Sequence, residues 1–244
     1  MVTLLGVITL LSQLFLVQGD AVLDSNVELS LFDPGLYQNG TYLYRRYYMP
    51  DFQEAFNITP VNHMVVDKEI EEWVAGASPF DFMESEEDIE EIIENAEVFS
   101  EYIEIIKEDT DDERLYIRWI NDIIKWGLFT CELIPEGTIV GLYTGLLTNN
   151  TLNGAYAWQY SYLDSVVVDK DSFQVDLSVD SWDIGNYLRF ANHNTKLQNA
   201  QTMYSVHDNL WHIFYVALRD IEANEEIFVN YGDLYWSDGR TLIE

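Results

Sequence analysis

Across residues 84–107 the apolar positions Ile89, Ile92, Ile93, Ala96, Phe99, Ile103 and Ile106 recur at steps of three and four, which places them on one stripe of an α-helix. Ser85 stands where an N-cap is expected. The spacing predicts one long amphipathic helix whose apolar stripe docks on a larger body while its acidic face meets water. After Arg114 the pattern changes to short β-favouring runs at residues 115–120, 139–143, 166–169, 213–217 and 227–231, broken by Gly, Pro and Asn. Pro135-Glu136-Gly137 and Glu222-Ala223-Asn224-Glu225 read as turns. Many short strands with little helix between them predict an α+β fold of small twisted sheets.

The first stretch of the chain has a different character. Residues 2–17 contain no charge and are mostly Leu, Val and Ile, and Val17-Gln18-Gly19 offers small residues at cleavage-compatible positions. Two readings stand side by side: a secretory signal peptide over residues 1–19, whose n-region lacks Lys or Arg, and a buried N-terminal helix. The segment is short for a spanning helix, so membrane contact is expected only if it stays uncleaved. Secretion follows from the first reading, a nuclear or cytoplasmic place from the second. Sequons begin at Asn39, Asn57 and Asn149, a pattern common by chance. Residues 30–60 are rich in Tyr, Phe, Pro and Gly, interrupted by Arg45 and Arg46; packing under a loop is the commoner use of such aromatics, an aromatic cage for a methylated lysine the rarer one.

Charge narrows the partners. The formal net charge is −31, and residues 81–113 hold sixteen Asp or Glu against one basic residue, Lys107. Such a surface repels nucleic acid and anionic membrane and attracts a Lys/Arg-rich protein; as a bland alternative it only keeps the chain soluble. One cysteine, Cys131, excludes an intramolecular disulfide framework and a multi-cysteine zinc cluster. His63, His193, His207 and His212 lack metal-site spacing, so no zinc is expected.

Two segments carry the chemistry: residues 185–194, Gly-Asn-Tyr-Leu-Arg-Phe-Ala-Asn-His-Asn, and residues 225–232, Glu-Glu-Ile-Phe-Val-Asn-Tyr-Gly. In this order and separation they resemble the two signature segments of SET-domain protein-lysine N-methyltransferases. Three further stretches fall in the family's order: Ile124-Lys125-Trp126-Gly127-Leu128-Phe129 resembles its glycine-containing first motif, Leu142-Tyr143-Thr144-Gly145 its Glu-Tyr-x-Gly segment, and Val175-Asp176 its Ile-Asp pair. Residues 213–221 resemble the strand and turn leading to the final Tyr-Gly. The resemblance covers roughly residues 114–236, and it implies a SET fold in which the C-terminal segment threads an earlier loop, bringing Asn192 and Tyr231 together. The organisation expected is a possible leader over 1–19, an extension with the acidic helix over 20–113, a SET domain over 114–238 and a tail over 239–244.

The resemblance also implies S-adenosylmethionine as methyl donor and a lysine on a basic protein, such as a histone tail, as acceptor. Tyr231 matches the catalytic tyrosine, and Tyr143 a second catalytic and channel tyrosine; Tyr204 is a further candidate for the channel wall, with Thr202 competing for the place. Asn192 and His193 match the pair that holds the cofactor, preceded as in the family by Arg189 and Phe190. Trp126 and Gly127 are expected to bring backbone close to it, and Tyr235 or Trp236 to stack on its adenine. Methylation needs a neutral amine, which a narrow apolar channel favours by desolvation. The chain departs from the family at Lys125, where the first Gly is usual, at Leu142 for Glu, Asn194 for Ser, Asn224 for Gly and Asn230 for Asp. The rival readings are a catalytically inactive SET-like module that binds a basic peptide, and an exported acidic glycoprotein that reuses the fold as scaffold.

Overall fold

The computed structural model describes residues 35–38, 41–76, 78, 90, 93, 96, 99–104, 106, 113–150, 154–160, 166–168, 171–173 and 177–236. The leader candidate of residues 1–19, the Val175-Asp176 pair, the sequons at Asn39 and Asn149 in their full length, and the tail lie outside these residues. Among the described residues no helix is long and apolar enough to cross a membrane.

Short sheets dominate, as the interrupted β-favouring runs predict. Leu115–Trp119 pairs antiparallel with Trp126–Thr130. A three-stranded sheet has the order Ala200–His207, Leu210–Ala217, Ile139–Tyr143. Its central strand is buried almost throughout, which explains the unbroken apolar run Ile213 to Ala217. A four-stranded sheet joins Val65–Val66, Leu146–Thr148, Ser178–Asp180 and Ala157–Gln159. Of the expected strand at 227–231, only Phe228–Val229 pairs, and it pairs in parallel with Asn192–His193.

The aromatic-rich stretch before residue 60 is spent on packing. Tyr47 exchanges backbone hydrogen bonds with Ile117, and Phe52 and Phe56 set their rings against Phe190 at 5.8 and 5.0 Å. Tyr47, Met49, Phe52, Ile58, Met64, Ile70 and Val74 belong to the same core as Leu128, Val140, Tyr215 and Val229. Residues 41–76 and the strands after residue 114 therefore share one core. Arg46 and Arg45 are buried there, Arg46 lying 4.1 Å over the Tyr116 ring.

The described residues of the acidic segment, 90, 93, 96, 99–104 and 106, are helical. Phe99 and Ile103 are buried against Leu142, Phe214 and Val216, with Phe99 stacked on Phe214 at 4.1 Å. Ile93, placed in the apolar stripe by its spacing, is 57% exposed; the stripe docks through its C-terminal half. Leu142 lies beneath that half, so an apolar residue at this position is what the docked helix requires.

Candidate active site

Parallel pairing of Asn192–His193 with Phe228–Val229 is the local event that builds the site. Around it the chain uses a fully buried asparagine as a clasp. Asn199 Nδ2 donates to Glu226 O at 2.8 Å and to Glu225 Oε1 at 3.2 Å, while its Oδ1 accepts from Phe228 N–H at 2.8 Å. All three hydrogen bonds hold residues 225–228, which leaves neither polar atom of the buried amide unpaired. The sequence reading missed Asn199; the only signal was a polar residue just before a strand.

At the end of that strand Tyr231 turns back across the loop. Its backbone N–H donates to His193 Nδ1 at 3.1 Å and its hydroxyl donates to Ala191 O at 2.7 Å. Because Nδ1 accepts, the imidazole proton sits on Nε2. Tyr235 and Trp236 follow on a short helix, Asp233–Trp236. The Tyr235 ring meets Tyr231 at 4.6 Å and the Trp236 ring meets His193 at 4.8 Å. Four of the expected site residues thus form one aromatic cluster.

Two cavities meet there. A cleft of about 330 Å³ is bordered by Lys125, Trp126, Arg189, Phe190, Asn192, His193, Tyr235 and Trp236 among others, within the roughly 300–1,000 Å³ usual for small-molecule sites. These are all the expected cofactor residues except Gly127. A narrow channel of about 30 Å³ runs between Tyr143, Tyr156, Trp158, Leu188, Ala191 and Tyr215. Ala155, Tyr156, Arg189, Tyr231 and Tyr235 border both cavities, so Tyr231 stands in the wall the two share. Tyr204 is not among the residues lining the channel; its ring packs on Trp211 at 5.0 Å. The wall is completed by Tyr156, Trp158 and Tyr215, none of which the sequence reading selected: Tyr156 and Trp158 lie outside every recognised segment, and Tyr215 lies in one that was read only as a strand.

Hydrogen bonds tie the channel wall to itself. Tyr143 Oη donates to Tyr156 O at 2.6 Å, and Trp158 Nε1 donates to Tyr215 Oη at 3.0 Å. Burial pushes the hydroxyls of Tyr143, Tyr215 and Tyr231 well above the usual phenol range, so all three are neutral at physiological pH. Arg189, buried, lies 4.1 Å over the Tyr156 ring and donates to Trp182 O at 3.1 Å. Burial lowers its pKa from the ordinary arginine value.

Lys125 adopts φ +72°, the left-handed region where glycine is the least strained residue. That conformation closes the turn between the two strands, with Ile120 N–H donating to Lys125 O and Lys125 N–H to Asn121 O, both at 2.8 Å. The amine of Lys125 lies 5.3 Å from the Trp119 ring centre. Asn224 is the second departure from glycine at positive φ, +68°. The departures at Asn194 and Asn230 keep a side-chain acceptor: Asn194 Oδ1 caps Lys196 and Leu197 N–H at 3.0 Å each, and Asn230 Oδ1 accepts from Gly232 N–H at 3.0 Å.

Gly127 does not border the cleft directly. A Cβ there would come within 2.6 Å of Ile120 Cδ1 and 2.7 Å of Glu226 Oε1, so its missing side chain makes room for the Glu226 carboxylate. That carboxylate accepts from Asn192 Nδ2 at 2.8 Å, and the same Nδ2 donates to Trp126 O at 3.0 Å. Burial raises the Glu226 pKa, opposed by the Asn192 hydrogen bond and by Arg118.

Comparison with known proteins agrees with this geometry. The SET domain family model matches residues 125–232. Among curated proteins, histone-lysine N-methyltransferase EZH2 of Chaetomium thermophilum is 32% identical over 130 residues, covering 49% of this chain and 8% of that protein. Histone-lysine N-methyltransferase SUVR5 of Arabidopsis thaliana is 34% identical over 121 residues, covering 44% and 9%. The chain spans between 2% and 16% of the lengths of the curated relatives it matches. Among solved structures, ATXR5 in complex with mono-methylated histone H3.1 shares the fold at TM-score 0.56 and 16% identity, over 76% of this chain and 86% of that one.

Proposed function

We propose, on the premise that residues 125–232 form a SET domain, that this protein transfers a methyl group from S-adenosylmethionine to the side-chain amine of a lysine on a basic protein, a histone tail being the fitting class. The observation that carries the reading is the shared wall: a cleft of small-molecule size and a narrow aromatic channel are both bordered by Tyr231.

The donor set fits the cofactor. The faces of Tyr235 and Trp236 suit an adenine ring, and Asn192 offers a carboxamide oxygen to an ammonium or amino group. Arg189 borders both cleft and channel, and Phe190 borders the cleft. When bound, S-adenosylmethionine supplies an electrophilic methyl group on a sulfonium.

The chain's own residues prepare the nucleophile. Aromatic walls strip water from an unbranched stem that enters between them. Desolvation disfavours the ammonium and favours the free amine, which alone has the lone pair that attacks. Tyr231 Oη donates its proton to Ala191 O, so its lone pairs remain to accept an amine N–H and orient the nitrogen toward the cleft. Tyr143 Oη is likewise committed as donor to Tyr156 O. Since these phenols are held neutral, none acts as a phenolate base; the amine sheds its proton to solvent before it is enclosed. A formal charge of −31 draws a Lys/Arg-rich partner by long-range steering, and two of the relatives named above are histone-lysine methyltransferases.

The test is calorimetry with S-adenosylmethionine followed by transfer of labelled methyl onto core histones and lysine-rich peptides. Binding and labelling are expected, with labelling weakened by high salt. Absence of binding at millimolar cofactor removes the proposal. Peptide binding with no transfer identifies an inactive binding module instead.

A further inference from the structure

The hairpin that joins Ala200–His207 to Leu210–Ala217 closes on a two-residue turn: His207 pairs with Leu210, and Asp208 and Asn209 between them are both at positive φ, +50° and +61°. Such a turn follows the twist of its strands and fixes what flanks it. His212 Nε2 lies 3.2 Å from His207 O, a second tie across the hairpin. The tip of this hairpin reaches the acidic helix. His207 Nε2 lies 3.0 Å from Glu104 Oε1 and 3.2 Å from Asp208 Oδ2, and Glu104 follows Ile103, one of the two residues that bury the helix.

Three ligand atoms thus converge: an imidazole nitrogen from the strand end, a carboxylate from the turn and a carboxylate from the helix, all within 4.8 Å of one another. One Nε2 carries at most one proton, and here it faces two carboxylates. Carboxylates turned toward one point repel each other unless a cation stands between them. Zinc binds histidine nitrogen and carboxylate oxygen at about 2.0–2.2 Å, so neighbouring ligands on a tetrahedral or octahedral ion stand about 3.0–3.5 Å apart. Both N···O distances fall in that range. They also fit a protonated imidazole, and the experiment below separates the two. Glu104 and Asp208 are 62% and 72% exposed, against 14% for His207, so an ion reaches the site from the carboxylate side and keeps water in its remaining positions. The spacing of histidines along the chain carries no sign of this arrangement, because one ligand belongs to the helix and two to the hairpin.

We propose that Glu104, His207 and Asp208 form a site for a divalent ion of the zinc class, and that the ion staples the acidic helix to the hairpin. The mixed donor set decides the class: magnesium and calcium take oxygen ligands, whereas imidazole suits zinc. Ligation uses the Nε2 lone pair, so any proton held there leaves as the ion binds. Two carboxylates balance the charge of one dipositive ion. Phe99 and Ile103 dock the helix over Leu142 and Phe214 by apolar contact; the ion adds a tie on the very next residue, one whose strength follows the ion's concentration. The site is independent of the methyl-transfer reading.

The experiment titrates zinc ions into the full chain, first stripped with chelator, and into Glu104→Gln, Asp208→Asn and His207→Ala. Glu104→Gln and Asp208→Asn keep the side-chain shape at exposed positions, so the fold is preserved. Calorimetric affinity is expected to fall more than about tenfold in each variant, since loss of even an outer partner of a metal ligand costs about 10–100-fold. The second readout is the His207 ring by ¹H–¹⁵N NMR: zinc is expected to shift Nε2 and leave the proton on Nδ1, while magnesium at the same concentration leaves the ring unmoved. The third is hydrogen exchange of the amides at residues 99–104, expected to slow several-fold with zinc in the parent and not in Glu104→Gln. A chain of net charge −31 gathers divalent ions loosely over its surface, so equal zinc affinity in the parent and all three variants overturns the proposal. A His207 ring that saturating zinc leaves unmoved, or protonated on both nitrogens, overturns it as well. Unchanged exchange at residues 99–104 in the zinc-bound parent overturns the staple.

Discussion

Replacing Asn224 by glycine separates two explanations of a residue at positive φ. Asn224 has φ +68° in the turn after Ile221, where backbone strain alone makes glycine the better choice, by at most about 1 kcal/mol. Its side chain, however, reaches across the fold: Oδ1 accepts from Arg46 Nη2 and from Tyr116 Oη, the latter at 3.3 Å. Arg46 is only 7% exposed, so water cannot readily replace the lost acceptor. A hydrogen bond to a charged group contributes about 1.5–3 kcal/mol, and asparagine pays little for the left-handed conformation. The balance predicts that Asn224→Gly destabilises by about 1–2 kcal/mol, or some 3–6 °C in Tm for a chain of this size. Lys125→Gly is the control: φ is +72°, the side chain makes only a contact at 5.3 Å over Trp119, and the change is expected within about 0.5 kcal/mol of zero or stabilising. Urea unfolding followed by tryptophan fluorescence measures both. If Asn224→Gly proves as stable as Lys125→Gly, the cross-fold hydrogen bonds carry no weight and the reasoning is wrong.

Three further outcomes are expected. Tyr231→Phe should lower methyl transfer by about 10²-fold or more while leaving cofactor affinity within about threefold, measured by single-turnover labelling and calorimetry. Glu226 has a folded-state pKa raised above its ordinary 4.5, so its ionised form opposes folding: this group favours the fold below the ordinary value and that contribution is lost as pH rises through the raised one. Glu226→Gln should therefore gain stability over the parent near pH 7, with the gain vanishing below about pH 4 in urea titrations. Phe99→Ala, removing a buried ring stacked on Phe214 at 4.1 Å, should cost about 3–5 kcal/mol in the same assay; a loss under 1 kcal/mol would show that the acidic helix is not docked in solution.

Much of the candidate site was legible because its residues sit in segments where spacing and chemistry coincide. Tyr231, Asn192, His193, Arg189 and Phe190 lie in the two signature stretches, and the structure gathers them at one cleft. The five departures from the family pattern were legible as substitutions but not as consequences. Lys125 and Asn224 needed φ angles to be understood, Asn194 and Asn230 their cap hydrogen bonds, and Leu142 the helix lying over it. Tyr156, Trp158 and Tyr215 were invisible because a channel wall is defined by tertiary contact alone. The crowding at Gly127 was not legible for the same reason: a side chain there would meet Ile120 and a carboxylate ninety-nine residues later in the chain. Likewise the strand at 227–231 shortened to two residues, since Ile227 N–H turns to Leu128 O of another strand and Tyr231 N–H to the His193 ring.

The parallel pairing of residues 192–193 with 228–229 has a bearing on biosynthesis. A ribosome makes the first partner dozens of residues before the second, and neither can form its ladder alone. Cleft and channel therefore stay incomplete until residues 228–236 are made, since Phe228, Tyr231, Tyr235 and Trp236 supply part of their walls, and a chain cut upstream of Phe228 loses those walls together with the core residue Val229.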